Sequence, residues 1–189
     1  MMIFIPFVSI LAAQGEARIS KQPQLKAIKL NPVVELSFPQ KVKLLASKGL
    51  KLNSLDTTAF SLKFDPMHLS DPNGDSYAYV YGGVMSTPKG WVGLSANNRD
   101  MLMLDIYTNS PKKSNYLIMF YGSTDDPLTL TVNGSMTFDV TKGPFVVPAV
   151  IQAGGFFEAV LQVVDKINKD KNVTNGIRIQ KITIETVGT

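Results

Sequence analysis

From residue 59 onward, apolar and polar positions alternate with the period of two that marks strands half-buried against a core. Ala59–Phe64 (AFSLKF), Tyr77–Tyr81 (YAYVY) and Met101–Tyr107 (MLMLDIY) read this way. The last of these sets Leu102, Leu104 and Ile106 on one face. Phe156–Val164 (FFEAVLQVV) reads as a strand with Phe157, Ala159, Leu161 and Val163 inward, and a short helix running on into Asp165–Lys169 competes with it. Tyr116–Tyr121 (YLIMFY) is apolar on both faces, as a central strand covered on both sides must be. Nearer the start, Val33–Phe38 and Lys41–Leu45 also read as strands, separated by Pro39.

Leu128–Val140 carries the clearest local signal. Leu128, Leu130 and Val132 alternate with threonines, as do Met136, Phe138 and Val140 after Asn133-Gly134-Ser135. A two-residue Asn-Gly loop would put the two apolar faces on opposite sides of the hairpin. A three-residue loop pairs Val132 with Met136, Leu130 with Phe138 and Leu128 with Val140, so the pattern selects it. The last strand, Gly176–Thr186, changes parity. Ile177 and Ile179 share one face, Ile182 and Ile184 the other, and a bulge or change of facing sheet is expected at Gln180–Lys181.

Many short strands with turn signals between them predict an all-β domain: an antiparallel β-sandwich or jelly roll with an N-terminal extension. The expected division is an apolar and basic extension over residues 1–55 and a β-sandwich domain over residues 56–189. Within the extension, Ile3–Ala13 (IFIPFVSILAA) is too short to span a bilayer. It is either a signal peptide, though no basic residue precedes it, or a structural arm that packs on its own domain or a neighbour. Eight basic residues and one acid, Glu35, lie between Arg18 and Lys51. They form a solvated face or an arm for an acidic partner.

Composition narrows the chemistry. Apolar residues make up 44% of the chain and charged residues 18%, a balance that supports a buried core. Three arginines in 189 residues argue against nucleic-acid binding, which favours guanidinium forks. The chain has no cysteine, so disulfides and thiolate metal sites are excluded. There is no phosphate-cradling glycine motif. Gly93-Leu94-Ser95 resembles half of a nucleophile elbow but lacks its second glycine, and His68, the only histidine, reads as a turn residue. Four glutamates, Glu16, Glu35, Glu158 and Glu185, form no pair visible in sequence. Asp71–Asp75 places oxygen ligands as calcium loops do. It has Ser76 and Gly82 where such a loop needs glycine and glutamate, so a plain turn is the better reading. No enzyme activity is expected. Asn133-Gly134-Ser135 and Asn172-Val173-Thr174 match the glycosylation acceptor pattern.

From Phe60 to Glu185 the order of signals resembles the galactose-binding-like jelly roll of carbohydrate-binding modules of families 6 and 35. The residues that carry the resemblance are Gly90-Trp91-Val92-Gly93, Tyr116–Tyr121, Leu130-Thr131-Val132-Asn133-Gly134, the loop Thr141-Lys142-Gly143-Pro144-Phe145, and Asn175-Gly176-Ile177 leading to Ile184. The resemblance implies a non-catalytic module that binds a polysaccharide or glycan at loops on one end or edge of the sandwich. It nominates Tyr81, Trp91, Phe145 and Asn175, with core packing as the competing reading of Trp91 and Phe145. It also implies a structural calcium. The family's early glutamate has no counterpart near Ser61–Asp65, however, and Gln180 stands where the last strand carries an acid, so no cofactor is expected. Location would be extracellular, at a cell surface or in a virion. The alternative is a structural subunit of a virion, filament or surface assembly that self-assembles through residues 1–55.

Overall fold

The computed structural model describes residues 34–49, 52, 54–65, 68–70, 75–86, 91–95, 100–108, 110–164 and 176–188. Two antiparallel sheets face each other, as expected. One contains β1 (Ser54–Phe64), β3 (Val84–Ser86), β4 (Trp91–Ser95), β6 (Ser114–Thr124), β9 (Gly143–Ala153) and β11 (Gly176–Gly188). Its order is β3-β4-β11-β6-β9, with β1 also paired to β11. The other runs β2-β5-β10-β7-β8, formed by β2 (Tyr77–Tyr81), β5 (Met101–Tyr107), β7 (Leu128–Val132), β8 (Met136–Val140) and β10 (Phe156–Val164). The core between the sheets holds Leu102, Leu104 and Ile106, facing Ile118, Phe120 and Val147 from the opposite sheet. The helical reading of Phe156–Val164 is excluded, since that segment is strand β10 with Phe157, Ala159, Leu161 and Val163 buried.

The hairpin pairs Leu128 with Val140, Leu130 with Phe138 and Val132 with Met136, the register chosen by the apolar pattern. Asn133 (φ 52°) and Gly134 (φ 67°) both take left-handed conformations, which asparagine and glycine tolerate best. The tip is also tied sideways. Asn133 Nδ2 donates to the Glu158 carbonyl (3.3 Å), and its Oδ1 accepts from the Val160 N–H (2.7 Å). The acceptor nitrogen of the first glycosylation motif is therefore committed to β10.

The parity change in β11 is a bulge between Ile179 and Lys181. Its effect is to return Ile182 and Ile184 to the same core that Ile177 and Ile179 already fill. The bulge also marks a change of neighbour. Residues 176–179 pair with β4, and residues 182–188 pair with β1 along the same edge. Strand β6 is central, between β11 and β9, and buried on both faces. Tyr116, Ile118 and Phe120 point into the sandwich. Leu117, Met119 and Tyr121 point outward into a second apolar cluster.

That second cluster corrects the reading of Val33–Phe38 and Lys41–Leu45. Residues 34–37 form neither helix nor strand, and Phe38–Ser47 is a helix, α1. The sequence Ser37-Phe-Pro-Gln40 is a helix start: the Ser37 N–H donates to Gln40 Oε1 (2.8 Å), and Pro39 sits in the first turn. Lys41 and Leu45, one turn apart, face the six-stranded sheet. Leu45 joins Leu52, Leu117, Met119, Tyr121 and Val187 there. Helix α1 and Leu52 thus form a third layer over that sheet's outer face.

Charges hold this layer down. Lys41 Nζ meets Glu185 Oε2 at 2.5 Å with both side chains buried. Glu35 is contacted by Lys63 (3.1 Å) and by Lys181. The Lys181 contact is the main force holding the Glu35 carboxyl below its ordinary 4.5, against partial desolvation, with Lys63 adding to it. A depressed acid stabilises the fold above its unfolded pKa, and that contribution is lost as pH falls through the folded value. Glu35→Gln should therefore cost about 0.2–1 kcal/mol at neutral pH, the range for a partly exposed pair. The deficit should vanish well below pH 4.5. Urea denaturation of both proteins across this range checks it, and a deficit that persists in acid would refute the pairing.

Candidate functional site

The outer faces of the two sheets differ. The six-stranded sheet is covered by α1 and its neighbours, whereas the face of β2, β5 and β10 carries large aromatic side chains into solvent. Strand β2 explains why. Ala78 turns inward to the core with Val80 packed against it, so the pleat sends Tyr77, Tyr79 and Tyr81 the other way. Likewise Leu104 and Ile106 inward means Asp105 and Tyr107 outward, and Phe157 and Ala159 inward means Phe156 and Glu158 outward. The three tyrosines of β2 recur about every 6.7 Å along the strand.

Register joins these residues into one surface. Tyr77 lies opposite Asp105, which lies opposite Glu158. Tyr79 lies opposite Met103 and Val160 lies on its far side, while Tyr81, Met101 and Gln162 make the next row. At the other end Tyr107 faces Phe156, with ring centroids 4.7 Å apart and planes tilted by 47°. Tyr77, Tyr79, Tyr81, Tyr107 and Phe156 are each between 40% and 65% exposed. They account for five of the eight large apolar side chains exposed among the described residues, and Val164 of the same face is a sixth. The Tyr79 phenol is held above its usual pKa by desolvation and then by the negative charges of Asp105 and Glu158.

Of the nominated residues whose side chains are described, Tyr81 lies on this face and Phe145 does not. Trp91 pairs through its backbone with Ser86 in the opposite sheet, and its side chain is outside the described residues. Asn175 and Asp71–Gly74 also lie outside them. Phe145 is corrected. The segment read as a loop belongs from Gly143 onward to β9, and Phe145 is buried, its ring filling the space above Gly122. A Cβ added at Gly122 would stand 2.8 Å from Phe145 Cζ and 2.6 Å from the Arg178 carbonyl, so glycine is required for that packing. Core packing, the competing reading of Phe145, is where the residue stands.

Sequence reasoning passed over Tyr77, Tyr79, Tyr107, Phe156, Asp105 and Glu158. Each outward position followed from the alternation. What the alternation could not supply was that β2, β5 and β10 are neighbours.

The other sites weighed from sequence offer less. His68 is exposed, and its Nδ1 lies 3.1 Å from Asp65 Oδ1 in a turn. Glu185 is engaged by Lys41 and Glu35 by two lysines. A small cleft at the β11 bulge, lined by Phe64, Leu69, Val92, Leu102 and Ile179, has room for little more than a water molecule. Among the described residues no group of three or more metal-ligand side chains gathers, and no helix is long and apolar enough to cross a membrane.

No protein-family model matches the sequence, and no curated protein sequence matches it. Among solved structures the chain is similar to a family 35 carbohydrate-binding module from Clostridium thermocellum. The identity is 13% and the TM-score 0.43, over 67% of this chain and 98% of that one. It is also similar to the CBM36-1 domain of a multidomain xylanase from the hindgut metagenome of Trinervitermes trinervoides. There the values are 17% and 0.43, over 69% of this chain and 100% of that one. A third likeness, at 13% identity and a TM-score of 0.44, is to a GH26-CBM35 β-(1,4)-mannanase of Podospora anserina. It covers 69% of this chain and 28% of that one. These likenesses concern the fold.

Proposed function

We propose that this protein is a non-catalytic carbohydrate-binding module that holds a polysaccharide on the open face of β2, β5 and β10. One observation carries the reading: five aromatic side chains stand exposed together on one sheet face, three of them in a row along an edge strand. Exposed aromatic patches rimmed by polar groups mark binding surfaces. The C–H face of a pyranose is apolar and stacks on a tyrosine ring, while tyrosine hydroxyls, carboxylates and amides meet the sugar hydroxyls. Asp105, Glu158 and Gln162 supply such groups between and beside the rings.

The carboxylates do not suggest hydrolysis. Glu158 is exposed and Asp105 half-buried on an open sheet face, whereas glycoside cleavage needs a site that closes around its carboxylates. The binding reading requires only that the face stay open.

Native affinity electrophoresis through gels containing soluble polysaccharides tests this. Retardation by at least one polymer is expected, relieved by its free oligosaccharides. A protein retarded by none, which instead self-associates with rising concentration by sedimentation, would have this face as a subunit contact, and the glycan reading would fail.

A further inference from the structure

The charge of the aromatic face is at odds with that of the chain. The chain carries a formal net charge of +4. The five strands of this sheet nevertheless contain Asp105, Asp139 and Glu158 and no lysine or arginine. Asp139 accepts a hydrogen bond from Thr129 Oγ1 (2.7 Å) within the sheet. Asp105 and Glu158 are directly opposite each other, a juxtaposition of like charges that is normally unfavourable. The Tyr79 phenol interacts with Asp105, and neither carboxylate forms an ion pair among the described residues. Tyr77 shares the row of the pair, Tyr107 and Phe156 make the next outward row on one side, and Tyr79, Met103 and Val160 make it on the other.

Two carboxylates with aromatic side chains in their own and the adjoining rows fit a ligand that brings its own positive charge. An ammonium group would make charge-assisted hydrogen bonds to the acids and sit against the negative faces of the rings. A divalent cation would lack a ligand set, since no third acid or histidine joins the pair among the described residues. The row of rings along β2 suits a chain of flat, apolar-faced units carrying that charge.

We infer that the preferred ligand is a polysaccharide bearing free amino groups, a glucosamine-type polymer, and that anionic glycans are rejected. This rests on the glycan-binding reading of the same face and adds to it the charge of the ligand.

Isothermal titration with a glucosamine pentamer, its fully N-acetylated form and a galacturonate pentamer tests it at slightly acid pH. The glucosamine pentamer should bind about tenfold more tightly than the N-acetylated one, a difference that salt erodes, and the galacturonate should not bind. The variant joining Asp105→Asn and Glu158→Gln should lose the tenfold preference, with the two pentamers bound within about twofold of each other. Equal or tighter binding of the N-acetylated form, or a preference that survives in the variant, overturns the inference and leaves the glycan reading standing. So does a lysine pentapeptide that binds more tightly than the glucosamine pentamer, which would make the face a peptide site. Binding of no glycan at all removes both readings.

Discussion

Lys41→Met should destabilise the protein by about 3–5 kcal/mol, the usual result of removing one member of a buried ion pair. Lys41 and Glu185 are both almost fully shielded beneath α1, with side-chain exposures of 6% and 8%. Methionine fills the volume of the lysine stem but leaves the Glu185 carboxylate without its counter-charge, in a site already closed by Leu45 and Val187. The pair itself is worth much less than this loss, because its desolvation offsets most of its attraction. Combining Lys41→Met with Glu185→Leu should therefore recover most of the stability, and the double-mutant cycle should show a strong favourable coupling. A whole domain of this kind is stable by only about 5–15 kcal/mol, so the single variant sits near the edge of folding. Guanidinium denaturation decides the matter. A single variant within about 1 kcal/mol of the parent would show that α1 does not bury the pair.

The elements legible in sequence are those in which local pattern and final environment agree. The hairpin register follows from three apolar pairs that only one loop length aligns, and the same logic exposes the β11 bulge. β6 reads as central because both its faces are apolar, one for the sandwich and one for the helix layer. Lys41–Leu45 misleads because K-V-K-L alternates like a strand, although the buried positions are Lys41 and Leu45, spaced as on a helix. A buried lysine is a poor apolar marker, and its partner lies 144 residues away. The beginning of β9 is hidden by Gly143-Pro144, which signals a turn. Pro148 within it is admissible because β9 is an edge strand, with a side that needs no donor. The site was half legible: each outward aromatic could be read from its own strand, but the order β2-β5-β10 that assembles them is a property of the tertiary fold.

The same distinction sets the result expected on the tyrosine face. Tyr79→Ala should weaken glycan binding by about tenfold or more, as loss of a central aromatic contact commonly does. Replacing Tyr77, Tyr79 and Tyr81 together should abolish retention in affinity gels. None of the three supports the core, since Ala78, with Val80 packed beside it, does so from the same strand. The triple variant should therefore unfold within about 1–2 kcal/mol of the parent, the loss of a few cross-strand contacts. Phe145→Ala is the contrasting case. It empties the space against Gly122 and should cost about 3–5 kcal/mol, with glycan affinity of the folded fraction unchanged. Affinity lost with stability kept in β2, and stability lost with affinity kept in β9, together would place the ligand on the sheet face rather than at the loop where Phe145 was expected. The reverse pattern would return the site to that loop and leave the tyrosine row without a role.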